Sequence, residues 1–167
     1  MTNAFTGTFD GQEHSVANMN TVVASASEVY VGLFGFVSVG TIKNVSVSGT
    51  ASAVGGSDPS AGGIAGGIMG GTQSDDNVDP NHPANIENCF SSVTVSTEHI
   101  SNDYGSTYAG GLVGLLINTN IINCANTGMV SASSSCSNSR AYAGGLAGVC
   151  SGKLDDCINN SYNTPAQ

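Results

Sequence analysis

The most regularly spaced reactive side chains in this chain of 167 residues are three thiols. Cys89, Cys124 and Cys157 stand 35 and 33 residues apart. Cysteine metal sites usually use pairs two to four residues apart. A spacing of more than thirty residues reads instead as one thiol per structural repeat. Stacked repeats would file the three sulfurs inward as small apolar groups. A disulfide between neighbouring repeats and a metal site are the alternatives. Cys150 matches Leu116 of the preceding unit and is also expected inward. Cys136 sits in a serine-rich stretch read as an exposed loop, free or within reach of Cys150. Five cysteines leave at least one unpaired within the chain, so their number does not fix the redox compartment.

Acidic residues offer a second chemistry. Asp75, Asp76 and Asp79 share a stretch with Asn77, Asn81 and His82, and oxygen ligands in a loop can hold calcium. The glycine and the final glutamate of an EF-hand loop are missing, so a solvated acidic loop is the plainer reading. Asp75, Asp76 and His82 are also the first place to expect partner contact, because binding tends to evolve on loops carried by a rigid scaffold. Asp10 and Glu13 could pair as glycosidase carboxylates do, but the Asp-Gly step beside them reads as a turn. His14, His82 and His99 share no common position. There is no Gly-x-Ser-x-Gly elbow. Lys43, Lys153 and Arg140 are dispersed, unlike the clustered cations of polysaccharide lyases. Tyr30, Tyr108 and Tyr142 occupy nearly equivalent places, with a one-residue slip. They would form either an exposed sugar-binding stack or local packing. An ice-binding face would need threonines in file, and Thr41, Thr50, Thr94 and Thr127 do not share one register.

Composition narrows the partners. Three Lys+Arg stand against twelve Asp+Glu, a formal charge of −9. Phosphate binding needs clustered cations, so nucleic acid is excluded, as is attraction to an anionic membrane surface. Only 9 % of residues are charged, against roughly 25 % in an ordinary globular chain. Apolar residues make up 40 %, enough for a core. No apolar run reaches the length of a membrane-spanning helix. The first residues lack the basic and apolar regions of a signal peptide. A leader is therefore expected to have been removed, or the chain to be a segment of a longer protein.

The elements that would position these groups are repeats. VGLFG (31–35), GGIAG (62–66), GGLVG (110–114) and GGLAG (144–148) align. Each is followed by a second motif: IKNV (42–45), IENC (86–89), IINC (121–124) and LDDC (154–157). The step from the second glycine position to the Asn or Asp is 12, 25, 12 and 11 residues. The long step is assigned to an insertion loop at 70–83. Alternating pieces such as VSVSG (45–49) and VTVS (93–96) come third. Helix formers are scarce, while Val, Thr, Ser and Gly abound, which favours short strands joined by bends. Three short strands per unit fit a parallel β-helix of about four coils, right-handed by the crossover rule. The predicted division is a lead-in coil at 1–29 and repeat coils at 30–60, 61–107, 108–141 and 142–167, in one domain.

Asn44, Asn88, Asn123 and Asp156 then share one corner. Apolar parity changes there, so a residue must absorb a bend, and Asn tolerates the left-handed conformation. Stacked amides would hydrogen-bond along the axis. Lys43 and Asp155, one residue earlier, should face solvent.

The stretches YAGGLVG (108–114) and IINCANTGMVS (121–131) resemble the GLUG repeat family, and FTGTFDGQEHSV (5–16) resembles the segment that often precedes such repeats. The resemblance implies a secreted or surface-exposed bacterial protein of the adhesin-like kind, some of which carry immunoglobulin-A protease domains. It implies no catalysis by the repeat. The expectation is therefore an extracellular structural and adhesion module without cofactor. Its expected partner is a host or cell-surface protein or glycan, with a neighbouring domain or second copy at the open end. A carbohydrate-binding or carbohydrate-cleaving β-helix is the alternative.

Overall fold

The computed structural model describes residues 4–70, 81–101, 104–135 and 139–161. Alternating side chains and frequent glycine yield thirteen strands and no helix among them. They are β1 (Thr8–Val31), β2 (Phe34–Ser38), β3 (Thr41–Gly62), β4 (Ala65–Met69), β5 (Ala84–Glu87), β6 (Phe90–His99) and β7 (Ser106–Gly110). The rest are β8 (Val113–Ile122), β9 (Ala125–Asn126), β10 (Val130–Ser134), β11 (Arg140–Gly144), β12 (Ala147–Asp155) and β13 (Ile158–Asn159).

Every pairing among these strands is parallel. Thr8 pairs with Thr41, Thr41 with Asn85, Asn85 with Asn120, and Asn120 with Lys153. One column thus runs through five successive turns of chain, each hydrogen-bonded to the next. That is a parallel β-solenoid, and the lead-in segment forms a full coil of it.

The core is a set of inward files, one residue per coil. Ile42, Ile86 and Ile121 are fully buried, as are Ile64 and Leu112. Burying such a side chain is worth about 1.5–3 kcal/mol, and the files repeat that gain at each coil. In the last coil the same files meet solvent. Leu154 follows the fully buried Ile121 and is 43 % exposed. Cys150 continues the file of the buried Leu116 but is itself exposed. Its inward register holds, yet among the described residues no further coil covers it.

The corner residues adopt the conformation that their type predicts. Asn44, Asn88, Asn123 and Asp156 have φ of 55, 52, 51 and 49°. A different corner holds an outlier. Val39, at φ 51°, is β-branched in a region that favours Asn or Gly. The glycine pairs serve close packing. A Cβ at Gly111 would overlap both the Gly145 carbonyl oxygen and the side-chain amide of Asn126.

The 70–83 insertion accounts for the whole of the long step, and a second lengthening of the repeat lies further on. Met69 pairs with Ile117 and Ala84 with Thr119. The two ends of the 70–83 insertion therefore rejoin the ladder with one residue, Asn118, between their partners. The register offset is 44 residues at Ser52 and Ser96 but 48 at Pro59 and Thr107. Extra residues between His99 and Ser106 account for that change, and the aligned motifs do not reveal them. Thr50 and Thr94 share a rung, contrary to the expectation for that pair, but Met129 follows them in the same file.

Candidate functional site

Three arrangements bring polar or reactive side chains together, and all arise from stacking equivalent residues.

The outer aromatic site comes first. Tyr142 pairs with Tyr108 across β11 and β7, and the rings stack at 5.6 Å between centroids with 10° between planes. Tyr108 pairs in turn with Ser60, and Ser60 with Tyr30. The rungs bring the three tyrosine positions into one file, so the one-residue slip belongs to the glycine motif, and Ser60 interrupts the file. Tyr30 packs edge-on against Phe36 at 5.0 Å and donates its hydroxyl to Glu28 Oε1 at 2.8 Å. Burial, then the Glu28 carboxylate, pushes the Tyr30 phenol above its usual value. The stack is thus a half-buried pair and not a trio. Arg140 pairs with Ser106 two residues before the tyrosine rung. Alternation turns these residues to the same side as the ring pair. Tyr104, 85 % exposed, lines a shallow depression with Gly105, Ser106 and Arg140.

The corner ladder is the second. Asn123 donates to Asn88 Oδ1 at 2.8 Å, Asn88 to Asn44 Oδ1 at 3.1 Å, and Asn44 to Asp10 Oδ1 at 2.9 Å. Asp10 also accepts from the Gln12 backbone N–H at 2.9 Å and lies 3.4 Å from Lys43 Nζ. The Asn44 amide, then the Gln12 N–H, holds the Asp10 carboxyl below its ordinary value. The Asp-Gly step is a bulge inside β1 and not a free turn, with Gln12 and Glu13 at φ 51 and 63°. Asp156 keeps the corner backbone, but among the described residues no hydrogen bond extends the ladder to it. Lys43 and Asp155 side chains are 34 % and 48 % exposed, each in an ion pair.

The thiol file is the third. Cys89, Cys124 and Cys157 follow Val45 in one column, as their flanking rungs require. Cys89 and Cys124 are buried, Cys157 is half-buried, and all three thiols are free. The Cys89 backbone N–H donates to Cys124 Sγ at 3.3 Å. A hydrogen bond between the two side chains lowers the Cys89 pKa and raises that of Cys124. Burial pushes both upward. Cys136 lies outside the described residues.

The remaining candidates scatter. Asp75, Asp76 and Asp79 lie outside the described residues. Among those described, no group of three or more His, Cys, Asp or Glu side chains is arranged to hold a metal. His82 is exposed in the turn before β5, and His14 is exposed on β1. His99 was not singled out beforehand, yet it is fully buried. Its Nδ1 lies 3.1 Å from Ser139 Oγ. Among the described residues its Nε2, like Thr97 Oγ1, has no hydrogen-bond partner. The signal was available, because His99 continues the inward alternation of Val93, Val95 and Thr97. A second internal polar position also escaped notice. Asn126 is fully buried, bonds to Gly128 in both directions at 3.1 Å, and reaches Asn159 Oδ1 at 3.4 Å.

These columns define a repeat module built as a parallel β-solenoid. The chain carries the GLUG motif at residues 105–131, a span that includes β7, β8 and the corner at Asn123. Comparison with curated proteins gives no match. Among solved structures the chain is similar to a candidate immunoglobulin A1 protease from Bacteroides ovatus. Identity is 20 % and the TM-score is 0.45, over 91 % of this chain and 62 % of that one. This chain thus spans less than two thirds of that protein.

Proposed function

We propose that the chain is a non-catalytic structural and adhesion module of a bacterial surface or secreted protein. The GLUG motif on a coil of the solenoid carries this reading. Support comes from the way polar side chains are used. The corner amides and the Ser52–Ser96 pair bond to their counterparts in adjacent coils, stiffening a rod instead of converging on a reacting atom. The partners are a host or cell-surface protein or glycan along the outer face, and a neighbouring domain or second copy against the last coil. The test is surface accessibility. Protease added to intact cells of the source bacterium should remove the protein, and survival of the full signal with a cytoplasmic marker would reject the assignment.

The Tyr108–Tyr142 pair favours a second reading, carbohydrate binding. Aromatic faces are apolar platforms with polar edges, and Arg140 and Tyr104 add a cation and an exposed ring beside them. A glycan array would decide it. The reading predicts a signal that falls at least tenfold in Tyr142→Ala, in line with a lost aromatic contact of about 1.4 kcal/mol. No bound glycan at all removes this reading and leaves protein partners.

A further inference from the structure

We propose that Cys124 and Cys157 are a redox site that closes as a disulfide and fastens the last coil to the body of the solenoid. The two residues stand on neighbouring coils in one file, and the Ile158 N–H donates to the Cys124 carbonyl at 2.9 Å. Paired strands lie about 4.8 Å apart, inside the 4.4–6.8 Å range of Cα separations that disulfides span. Cys157 Sγ already leans between the coils, 3.4 Å from the Ile121 carbonyl of the coil that carries Cys124. Cys124 Sγ leans the other way, 3.7 Å from the Ile86 carbonyl. Closure therefore needs rotation of the Cys124 side chain towards the last coil.

Two features single out this pair over Cys89 and Cys124. Cys157 is half-buried, whereas Cys89 and Cys124 are both buried, so an oxidant in solution reaches the file at Cys157. Among the described residues the last coil packs on one side only, and Leu154, in the file of the buried Ile121, is 43 % exposed. It can adjust its spacing to its neighbour as the bond forms, more readily than coils enclosed on both sides.

The oxidant is a small disulfide such as oxidised glutathione. The Cys157 thiolate attacks one of its sulfurs, forming a mixed disulfide and expelling one glutathione thiolate, which takes the Cys157 proton. Cys124 then attacks Cys157 Sγ. The mixed disulfide breaks, the second glutathione leaves as thiolate, and the Cys124 proton goes to it. Two protein thiols lose two electrons, and one glutathione disulfide is reduced to two thiols. The chemistry is independent of the adhesive role proposed above, and its test uses purified protein.

The chain contains three Lys+Arg, so trypsin locates the bond. Cleavage after Arg140 and Lys153 separates residues 154–167, with Cys157, from residues 141–153, with Cys150, and from the body, with Cys124. After treatment with oxidised glutathione and alkylation of remaining thiols, the 154–167 peptide should stay joined to the body until reductant is added. Cys124→Val should release it, and this variant keeps the file apolar because Val45 occupies the same column. Cys89→Val should retain the link. Trypsin should also cut the folded oxidised chain at Lys153 roughly tenfold more slowly than the reduced chain, since local opening is suppressed. Glutathione persisting on Cys157 beside an alkylatable Cys124 would overturn the proposal. So would a link from Cys157 to Cys150 or Cys136, or a link that survives Cys124→Val.

Discussion

At the scale of single residues, conformation and hydrogen bonding share the work at each corner. Asn44, Asn88 and Asn123 accept the left-handed backbone at low cost, and their amides bond from coil to coil. Asp10 ends the chain of amides as an acceptor, so its carboxylate form is favoured. Its folded pKa is depressed below the ordinary 3.8. Its contribution to stability is therefore present above that value and is lost as pH falls through the lower, folded one. A carbon-13 titration of the Asp10 carboxyl should give a midpoint under 3.8, and Asn44→Ala should move it upward. No upward movement would show that the amide is not the cause. This corner was legible in the sequence because a parity change and a recurring Asn coincide there. The burial of His99 was legible too, in its alternation with Val93, Val95 and Thr97, but a lone histidine is read by its type before its register.

At the scale of elements, strand register was legible wherever two motifs recurred. The glycine and asparagine motifs fix the two ends of a long arc, and alternation fills the space between. Tyr30 shows where that fails. The one-residue slip of the glycine motif beside it arises because Gly32-Leu33 in the first turn faces Gly62-Gly63-Ile64 in the next, between the pairs Val31–Ala61 and Phe34–Ala65. Serine at position 60 then separates the rings, and nothing in the local sequence of Tyr30 announces it. The extra residues after His99 were hidden for another reason: they lie between the Asn88 corner and the next glycine motif, outside the span that the two motifs measure. The glycine pairs are the sharpest constraint at this scale. Gly111→Ala should cost about 3 kcal/mol or more, because backbone of the next coil and the buried Asn126 stand where the methyl would go. Urea unfolding of the variant would check it, and a loss under about 0.5 kcal/mol would mean that the coils can separate there.

At the scale of the whole molecule, stability should be uneven along the axis. Each coil contacts only its neighbours, so the solenoid behaves as a one-dimensional stack. Inner coils hold fully buried Ile, Val and Leu, while the last exposes the same files. Amide hydrogen exchange should be slowest in β5, β6 and β8. In β12 and β13 it should be roughly a hundredfold faster, because opening there breaks one interface and not two. Equal protection throughout would require the coils to open only together.

The asparagine corner adds a directional property to that stack. Each amide gives its N–H towards the first coil and turns its oxygen towards the last, so the group dipoles align along the axis. Their positive pole rests on the Asp10 carboxylate, which neutralises it, while the negative pole at Asn123 points towards the coil that carries the acid Asp156 at the same corner. The solenoid is thus electrically polar along this edge, satisfied at one extremity and opposed at the other. A cation or an N–H donor approaching the final corner would be drawn in, and an anion would be turned away.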